Sequence, residues 1–388
     1  MSANRRDFLR TTALAGGALG LGLSSVRPAD ARAADVAAAA APRRPRPAPP
    51  KPLRILILGG TGFIGPHQVR YAQERGHTIT LFNRGKTNPG LFPDVEKLQG
   101  DRQTGDYASL KGRDWDVVID NPTTIPRWVR QAGEVLKGHT RQFVFISTIS
   151  TYASNDTPNA DETAPLATTT EPESEDRGRL YGPLKALSEG EAKKAFGEQH
   201  TTIIRPGLIV GPGDLSDRFT YWPVRLQRGG EVLAPGTPGD PSQIIDARDL
   251  SEFVIHCCEQ ETVGTFNVTG PASYLSIAEM LGGIRASMVT DAYLTFVDAD
   301  FLAEQKVRAW SDMPVWIPPR GETAGFMRRS IARALAAGLT FRPLADTARD
   351  TLTYYHEQPA DRQAALRAGM DPAREKEILA LWHAKHGS

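Results

Sequence analysis

The sequence lacks the residues on which disulfide-rich, metal-binding and strongly basic proteins depend. Cys257 and Cys258 are the two cysteines among 388 residues, and because they are adjacent they provide neither a disulfide framework nor zinc-ligand spacing. The eight histidines form no HxH or HExxH pattern, so no metal site is predicted. A formal net charge of +1 argues against a dedicated nucleic-acid-binding protein, which is usually strongly basic.

The N-terminal apolar stretch does not predict a permanent membrane span. It runs from Thr11 to Val26 and is too short and too rich in glycine to cross a bilayer. Arg5-Arg6 and Phe8-Leu9 precede it, and small residues follow at 31–33. This order is typical of a cleavable twin-arginine export signal.

Residues 1–33 are therefore predicted to be a signal peptide for the twin-arginine (Tat) export machinery, and the mature protein is predicted to be periplasmic or otherwise extracytoplasmic. The alternative is a flexible basic N-terminus. Residues 34–52 are rich in alanine and proline and predict an extended spacer. The first segment has five Arg against two Asp and the second has four basic residues against one Asp, a net +3 each, so the chain from Leu53 onward carries −5.

A short apolar run at the start of the acidic body is followed directly by a glycine-rich turn. Residues 53–58 predict a strand buried on both faces of a parallel sheet, and residues 77–82 predict a second strand after an intervening helix. In such a βαβ unit Gly59 permits the tight turn, Gly62 lets backbone N–H groups approach a pyrophosphate, and Gly65 permits close packing of the helix on the sheet. The predicted cofactor-binding residues of this turn are Gly59, Thr61, Gly62, Phe63, Ile64 and Gly65.

The alternation of strands and helices continues and predicts an α/β fold, a Rossmann-type doubly wound parallel sheet with a smaller C-terminal α/β substrate-binding domain. Further strands are expected at 116–120, 142–147 and 201–204. The expected domains are a dinucleotide-binding domain at 53–210, a mainly substrate-binding domain at 211–355 with some strands returning to the sheet, and a helical extension at 356–388. We expect this extension to pack on the body or on a partner subunit, so a homodimer is one expected assembly.

Two segments carry groups suited to proton transfer. The strand at 143–147 ends in a hydroxyl-rich turn that contains Thr148, and such hydroxyls face the cofactor cleft when they follow a sheet strand. Tyr181 and Lys185 stand four residues apart on one predicted helix face, so the ammonium can reach toward the phenol. Together with an oxidised nicotinamide, that charge lowers the phenol pKa from about 10 toward the working pH.

These motifs resemble those of the extended short-chain dehydrogenase/reductase superfamily, in its NAD-dependent epimerase/dehydratase group. The resemblance runs from Leu53 to about Tyr355, and the region after the second strand is similar to the subgroup of chloroplast stem-loop RNA-binding proteins. Beyond the motifs above, the resembling segments are 80–86, 100–102, 205–207, 211–212, 246–250 and 264–268.

The resemblance implies a role for each matched residue. Tyr181 is implied to be the proton relay, Lys185 to hold the nicotinamide ribose and lower the phenol pKa, and Thr148 to hydrogen-bond the reacting substrate oxygen. Asp101 is implied to lie near the adenine, and Arg205-Pro206 to border the nicotinamide. The further implied cofactor-binding set is Asn83, Arg84, Asp101, Arg102, Lys185, Arg205 and Pro206. Asp246 and Asp249 are expected to fix a loop between the domains.

Departures from the family pattern narrow the function. NAD-binding members place an acid at the end of the second strand, where this chain has Asn83 and Arg84. A guanidinium suits a 2′-phosphate, so NADP is favoured over NAD, although Arg84 stacking on the adenine is an alternative. Ile149 and Ser150 replace the Asp-Glu pair of the 4,6-dehydratases, so sugar-nucleotide dehydration is not expected.

The substrate half leaves several interpretations open. Ser242 stands where nucleotide-sugar enzymes carry an arginine for the substrate diphosphate. The arginines that could compensate, or could be solvated charges, are Arg218, Arg225 and Arg228. The tryptophans that could face a sugar ring, or pack in the core, are Trp222, Trp310 and Trp316. The acidic segment 161–177 is either a lid or a solvated surface loop.

Two functions of different classes follow. The leading one is an NAD(P)-dependent epimerase or dehydrogenase/reductase that transfers hydride at a hydroxyl or carbonyl carbon of a sugar-like or other small substrate. Its cofactor is expected to be tightly bound, because free NADP is not expected outside the cytoplasm. The alternative is a non-catalytic nucleic-acid-binding or scaffold protein, which the acidic body and the Tyr181–Lys185 pair oppose.

Overall fold

The computed structural model describes residue 49 and residues 51–121 and 123–387. The predicted signal peptide and all but three residues of the predicted spacer lie outside this part of the chain. Within the described residues no helix is both long and apolar enough to cross a membrane.

Eleven strands are described, and all of their pairings are parallel. In chain order they are β1 (Arg54–Leu58), β2 (Thr78–Asn83), β3 (Glu96–Gln99), β4 (Trp115–Asp120), β5 (Thr140–Ile146), β6 (Thr201–Pro206), β7 (Leu208–Val210), β8 (Glu231–Pro235), β9 (Ile244–Asp246), β10 (Gly264–Val268) and β11 (Tyr293–Val297). Seven of them form the central sheet in the order β10-β6-β5-β4-β1-β2-β3, and two small sheets pair β7 with β9 and β8 with β11.

The strand order reverses between β1 and β4. From β1 the chain builds outward through β2 and β3, and then returns to add β4, β5 and β6 on the other side. The register places Leu58 at the end of β1 beside Asp120 at the end of β4. In a doubly wound sheet, ligands bind at the carboxyl ends of the strands at such a reversal. The predicted Rossmann-type sheet is confirmed, and this edge is where a functional site is expected.

In the described part of the chain, eleven α-helices surround the sheets. They are α1 (Gly65–Glu74), α2 (Pro126–Leu136), α3 (Arg177–Phe196), α4 (Tyr221–Gln227), α5 (Ala247–Glu259), α6 (Ile277–Ala286), α7 (Ala299–Glu304), α8 (Ala332–Ala336), α9 (Leu344–His356), α10 (Ala360–Ala364) and α11 (Pro372–His386). Short 3-10 turns add a few residues, including one at Ile149–Thr151 directly after Thr148.

The alternation of side chains along β1 divides the core of the nucleotide-binding half into two layers. Ile55 and Ile57 pack with apolar residues of α1 and α5 on one face. Leu56 and Leu58 pack with α2 and α3 on the opposite face. Because all four side chains are fully buried, β1 reads as a continuous apolar run, as expected for a strand covered on both sides.

A third core fills the C-terminal half. It shows the role of two tryptophans that could either face a sugar ring or pack in the core. Trp222 and Trp316 are buried there, and their indole N–H groups donate to Pro314 O and Asp240 Oδ2. These two tryptophans are therefore packing residues. The C-terminal extension contains α10 and α11. Its apolar residues pack on this same core, and they are Leu366, Met370, Ile378, Leu379 and Trp382.

The strand β10 returns to the central sheet from beyond residue 211, as expected for this fold. The sequence did not predict β3, whose four residues Glu96–Gln99 include a single apolar side chain, Leu98, and are at most half-buried. Because neither face of this edge strand is fully covered, it has no apolar run to mark it.

Candidate active site

The glycine-rich turn after β1 is held in a conformation that requires glycine. Gly59 and Gly60 have φ values of +105° and +88°, which residues with a Cβ rarely adopt. A Cβ on Gly65 would lie 2.5 Å from the carbonyl carbon of Gly60. The predicted close approach at Gly65 is therefore against the turn itself rather than against the sheet. Among the described residues, nothing lies within 4 Å of a Cβ position at Gly62, so the backbone is open there beside the N-terminus of α1.

Two asparagine side chains hold this turn through hydrogen bonds to the backbone. The Asn83 amide donates to Gly59 O at 3.0 Å and accepts from the Gly85 N–H at 2.8 Å. The Asn88 amide donates to Thr61 O at 3.0 Å. Asn83 was predicted to contact the cofactor, and the structure instead uses both ends of its amide to hold the loop. Asn88 had no signal in the sequence beyond its place in a turn-rich segment.

The polar residues that follow β2 and β3 differ in whether other groups of the protein already bind their side chains. Arg84 is exposed at the end of β2. Asp101 accepts the N–H of Gln103 at 2.9 Å. Arg102 forms a two-point ion pair with Asp120, at 2.6 and 2.8 Å. The prediction that Arg102 contacts the cofactor is therefore replaced by a structural role, because a buried carboxylate already binds its guanidinium.

Thr148 and Tyr181 come together at the carboxyl end of β5. Burial raises the pKa of Tyr181, while the Thr148 hydroxyl, within hydrogen-bonding reach of the phenol, and the Arg218 guanidinium both lower it. Thr148 also accepts the Ser150 N–H at 3.2 Å, which fixes its hydroxyl at the start of the following 3-10 turn. A hydroxyl pair is thus held at the edge of the sheet where the glycine-rich turn also lies.

A kink in α3 directs Tyr181 toward Thr148. Leu180 has non-helical backbone angles, φ −116° and ψ 24°, so the helix restarts at Tyr181. Pro183 then falls in the first turn of the restarted helix, where its missing N–H has no intrahelical partner to lose. The restarted helix packs so closely on the Thr148 turn that a Cβ on Gly182 would lie 2.2 Å from Ser150 O.

Lys185 is held by backbone carbonyls, and its contact with a nicotinamide ribose stays a prediction. Its side chain is buried (residue 1% exposed), and Nζ donates to the backbone carbonyls of Thr123 and Ile146. Burial lowers the pKa of Lys185 to about 7. The expected approach of the ammonium to the phenol is therefore corrected: the cation whose charge lowers the pKa of Tyr181 is Arg218.

The Arg205 side chain is buried and paired with a carboxylate of α3. It is 3% exposed and forms a two-point ion pair with Glu189 of α3, at 2.9 and 2.6 Å. Its remaining donors reach Tyr152 Oη and Glu162 O. The Arg205 side chain thus joins β6 to α3, and the approach of the Arg205-Pro206 segment to a nicotinamide stays a prediction. Pro206 lies at the carboxyl end of β6.

Asp246 and Asp249 form part of a buried ionic network. Burial raises the pKa of Asp246, but Arg248, which it binds through both carboxylate oxygens, and Arg342 together lower it more. Arg248 also pairs with Asp350 of α9, and Asp249 binds Arg342. These contacts connect α5 to the segment around α9, which agrees with the expected loop-fixing role. Among the described residues no group of three His, Cys, Asp or Glu side chains could hold a metal ion.

Comparison with known proteins supports one family. The family model described as "NAD dependent epimerase/dehydratase family" matches residues 55–110, which contain β1, the glycine-rich turn and β2. The Arabidopsis thaliana protein "Chloroplast stem-loop binding protein of 41 kDa b" is 29% identical over 56% of this chain, a match that spans 58% of its own length. The Bos taurus epimerase family protein SDR39U1 is 23% identical over 71% of this chain and 95% of its own.

Solved structures have the same fold. Bordetella bronchiseptica WbmH in complex with NAD+ superposes with a TM-score of 0.56 at 14% identity, covering 79% of this chain and 99% of that one. Human SDR39U1 with NADPH superposes with a TM-score of 0.52 at 18% identity, covering 77% and 99%. The chain therefore has the fold of Rossmann-type epimerase structures. The export signal and the placement in the RNA-binding subgroup stay predictions.

Proposed function

We propose that this protein is an NAD(P)-dependent oxidoreductase or epimerase that transfers hydride at a hydroxyl or carbonyl carbon of a sugar-like or other small substrate. The observation that carries the proposal is the meeting of Thr148 and Tyr181 at the strand-order reversal, beside a glycine-rich turn that opens α1. A phenol and a hydroxyl side by side can bind one substrate oxygen and move its proton.

The described residues fit a nicotinamide dinucleotide. The open backbone at Gly62 and the N-terminus of α1 suit a pyrophosphate, since helix N-termini bind anions through their N–H groups. When bound, the nicotinamide supplies a hydride acceptor or donor. Tyr181 takes or returns the proton of the substrate oxygen, and Thr148 donates a hydrogen bond to that oxygen. Lys185 keeps Thr123 and Ile146 in place below the cleft.

Three features of the site guide the choice within this class. The exposed Arg84, in a position where NAD-binding members have an acid, favours NADP. Ile149 and Ser150 cannot supply the acid and base of a 4,6-dehydration, so epimerisation or net oxidation and reduction is favoured. If the protein is exported by the twin-arginine pathway, a tightly bound cofactor that is recycled on the enzyme suits a compartment without free NADP.

The alternative of a nucleic-acid-binding or scaffold protein is motivated by the name of the Arabidopsis relative. The acidic body opposes it, because binding to phosphates draws on lysine and arginine. Salt-dependent RNA binding by the mature protein would favour this alternative, and its absence would remove it.

The proposal is tested on the purified full-length protein. We expect NADP(H) to co-purify, or to bind after addition, at about one per chain by absorbance and mass spectrometry. Tyr181→Phe keeps the ring but removes the phenol, so it is expected to retain the cofactor and to lower kcat by at least about 100-fold. Failure to bind either nicotinamide dinucleotide, or full turnover by Tyr181→Phe, would contradict the proposal.

A further inference from the structure

The Arg218 guanidinium, which lies near Tyr181, is hydrogen-bonded through its Nε edge. Arg218 Nε donates to Ser216 Oγ at 3.0 Å, and the Ser216 hydroxyl donates to Asp214 Oδ2 at 2.9 Å. Asp214 also accepts the Ser216 N–H at 2.8 Å. Within the described part of the chain, the two terminal nitrogens of Arg218 take part in none of these hydrogen bonds and in no ion pair. The chain of contacts therefore orients the guanidinium and leaves its paired donors available.

The face of this guanidinium lies on Trp310. Arg218 Cζ is 5.4 Å from the centroid of the Trp310 ring. Trp310 is 6% exposed, yet its indole Nε1–H has no hydrogen-bond partner in the structure. An unpaired buried donor costs free energy unless a ligand or water satisfies it. Trp222 and Trp316, by contrast, both have carbonyl or carboxylate acceptors.

The loop that carries Arg218 lies between the glycine-rich turn and Tyr181. His67 Nε2 lies 3.0 Å from Pro212 O, and a Cβ on Gly213 would touch the Phe63 ring at 3.4 Å. At its other end the loop brings the Arg218 charge close enough to act on the Tyr181 phenol. Arg218 is thus located at the reacting end of the cleft rather than at its rim.

We propose that Arg218, with Trp310 beside it, binds a carboxylate of the substrate next to the carbon that reacts, which makes the substrate a sugar acid or another small hydroxy or keto acid. This inference rests on the proposed function and narrows its substrate class. A guanidinium offers two parallel N–H donors that match the two oxygens of a carboxylate.

A carboxylate suits this position better than a diphosphate. Asp214 lies close enough to offset part of the Arg218 charge, so the local field favours a single negative charge over several. The diphosphate of a nucleotide sugar is also several bonds from the reacting carbon, whereas Arg218 acts at Tyr181. The position at which family members bind that diphosphate is Ser242, which here donates to Met280 Sδ in the core.

The test measures binding of sugar acids and matched neutral sugars to protein saturated with NADP+. D-gluconate and D-galactonate, whose C2 hydroxyl is next to the carboxylate, are compared with D-glucose and D-galactose by isothermal titration calorimetry. We expect each acid to bind at least about tenfold more tightly than its neutral counterpart. Arg218→Gln should weaken acid binding by about 100-fold and leave the neutral sugars unchanged, because it removes the charge that pairs with the carboxylate.

Two further variants distinguish the effect of the Arg218 charge from the effect of its paired donors and from a loss of folding. Arg218→Lys keeps the charge but loses the paired donors, so it should recover only part of the acid affinity. Arg228→Gln removes an exposed arginine ten residues along the chain and should change nothing. Thermal unfolding of each variant confirms that the fold is intact.

Each outcome decides the inference. The inference is overturned by equal affinity for acids and neutral sugars, by no binding of either acid, by acid binding that survives Arg218→Gln, or by tighter binding of D-glucose 1-phosphate than of the sugar acids. A protein that binds NADP+ but no acid retains the proposed function and loses only this inference. If neither nicotinamide dinucleotide binds, the proposed function fails, and Arg218-dependent acid binding by the cofactor-free protein decides the inference separately.

Discussion

Two cations lie near the proposed proton-transfer site, and they differ in what already binds them. Lys185 is surrounded by backbone carbonyls and the Phe145 ring, whose centroid is 4.6 Å from Nζ. Arg218 is held through Nε alone and acts on Tyr181. The spacing of Tyr181 and Lys185 correctly places them on one helix, but spacing carries no information about which carbonyls lie within reach of a long side chain. Such partners are set by tertiary packing.

At the scale of single residues, we predict that Arg84 sets the preference for NADP over NAD. Arg84→Ala removes the exposed guanidinium at the end of β2, and we expect the Kd for NADP+ to rise by about 30-fold, since charge-assisted hydrogen bonds to a phosphate contribute about 2 kcal/mol. The Kd for NAD+, which has no 2′-phosphate, should stay within about twofold. Fluorescence titration with both cofactors measures the two values.

The matched control is Lys86→Ala, which removes a second exposed cation two residues away and should leave both Kd values unchanged. An equal loss of NAD+ and NADP+ affinity in Arg84→Ala would indicate adenine stacking instead of phosphate recognition.

At the scale of elements, the sequence predicted the parts that depend on apolar runs and glycine. β1, β2, β4, β5 and β6 are all found within a few residues of the expected ranges, because each is buried on both faces. The kink at Leu180 was not predicted, since the helical pattern continues across it and Pro183 alone does not show where the helix restarts. The position of Tyr181 depends on that restart.

This dependence gives a prediction for α3. Gly182→Ala places a methyl group against Ser150 O, so the restarted helix must move away from the Thr148 turn. We expect the free energy of unfolding to fall by about 2 kcal/mol, as for other overpacked sites, and turnover to fall with it as Tyr181 moves from Thr148. Urea unfolding and the turnover assay measure the two effects.

Gly190→Ala on the same helix is the control. Nothing lies within 4 Å of its Cβ position, so the change should raise the free energy of unfolding by up to about 1 kcal/mol through helix propensity. If both glycine variants behaved alike, the close contact at Gly182 would have no consequence.

At the scale of the whole molecule, buried ion pairs connect elements that are distant in sequence. Glu259 at the end of α5 binds Arg75 at 2.7 Å and accepts from His77 Nε2 at 3.0 Å. His77 Nδ1 in turn accepts the Leu53 N–H at 3.1 Å, which places the ring proton on Nε2. Composition and local pattern could not predict these pairs, because their members lie more than 180 residues apart.

Glu259 therefore makes folding stability depend on acid pH. Burial raises the pKa of Glu259, but His77 and Arg75 lower it to about 2, below the usual unfolded value of about 4.3. The stabilisation is present above about pH 4.3 and is lost as the pH falls toward 2. Glu259→Gln should lower the free energy of unfolding by about 2 kcal/mol at pH 7, and its difference from the unsubstituted protein should shrink between pH 4.3 and 2.

Urea unfolding at several pH values measures this difference. Glu261→Gln is the control, because Glu261 forms an exposed pair with Arg141 and exposed pairs contribute little. A difference at Glu259 that did not change between pH 7 and pH 2 would show that its charge is not the source of the stability.

The two adjacent cysteines have a consequence for the predicted transport of the molecule into an oxidising compartment. Cys257 and Cys258 are buried in α5, and burial raises the pKa of the Cys258 thiol well above its ordinary value. Oxidants and disulfides react with accessible thiolates, so these two thiols are protected in the folded chain, whereas in an unfolded chain they could cross-link with neighbouring molecules. Folding before any contact with oxidants protects these thiols, and transport in the folded state, as on the predicted twin-arginine route, provides that order of events.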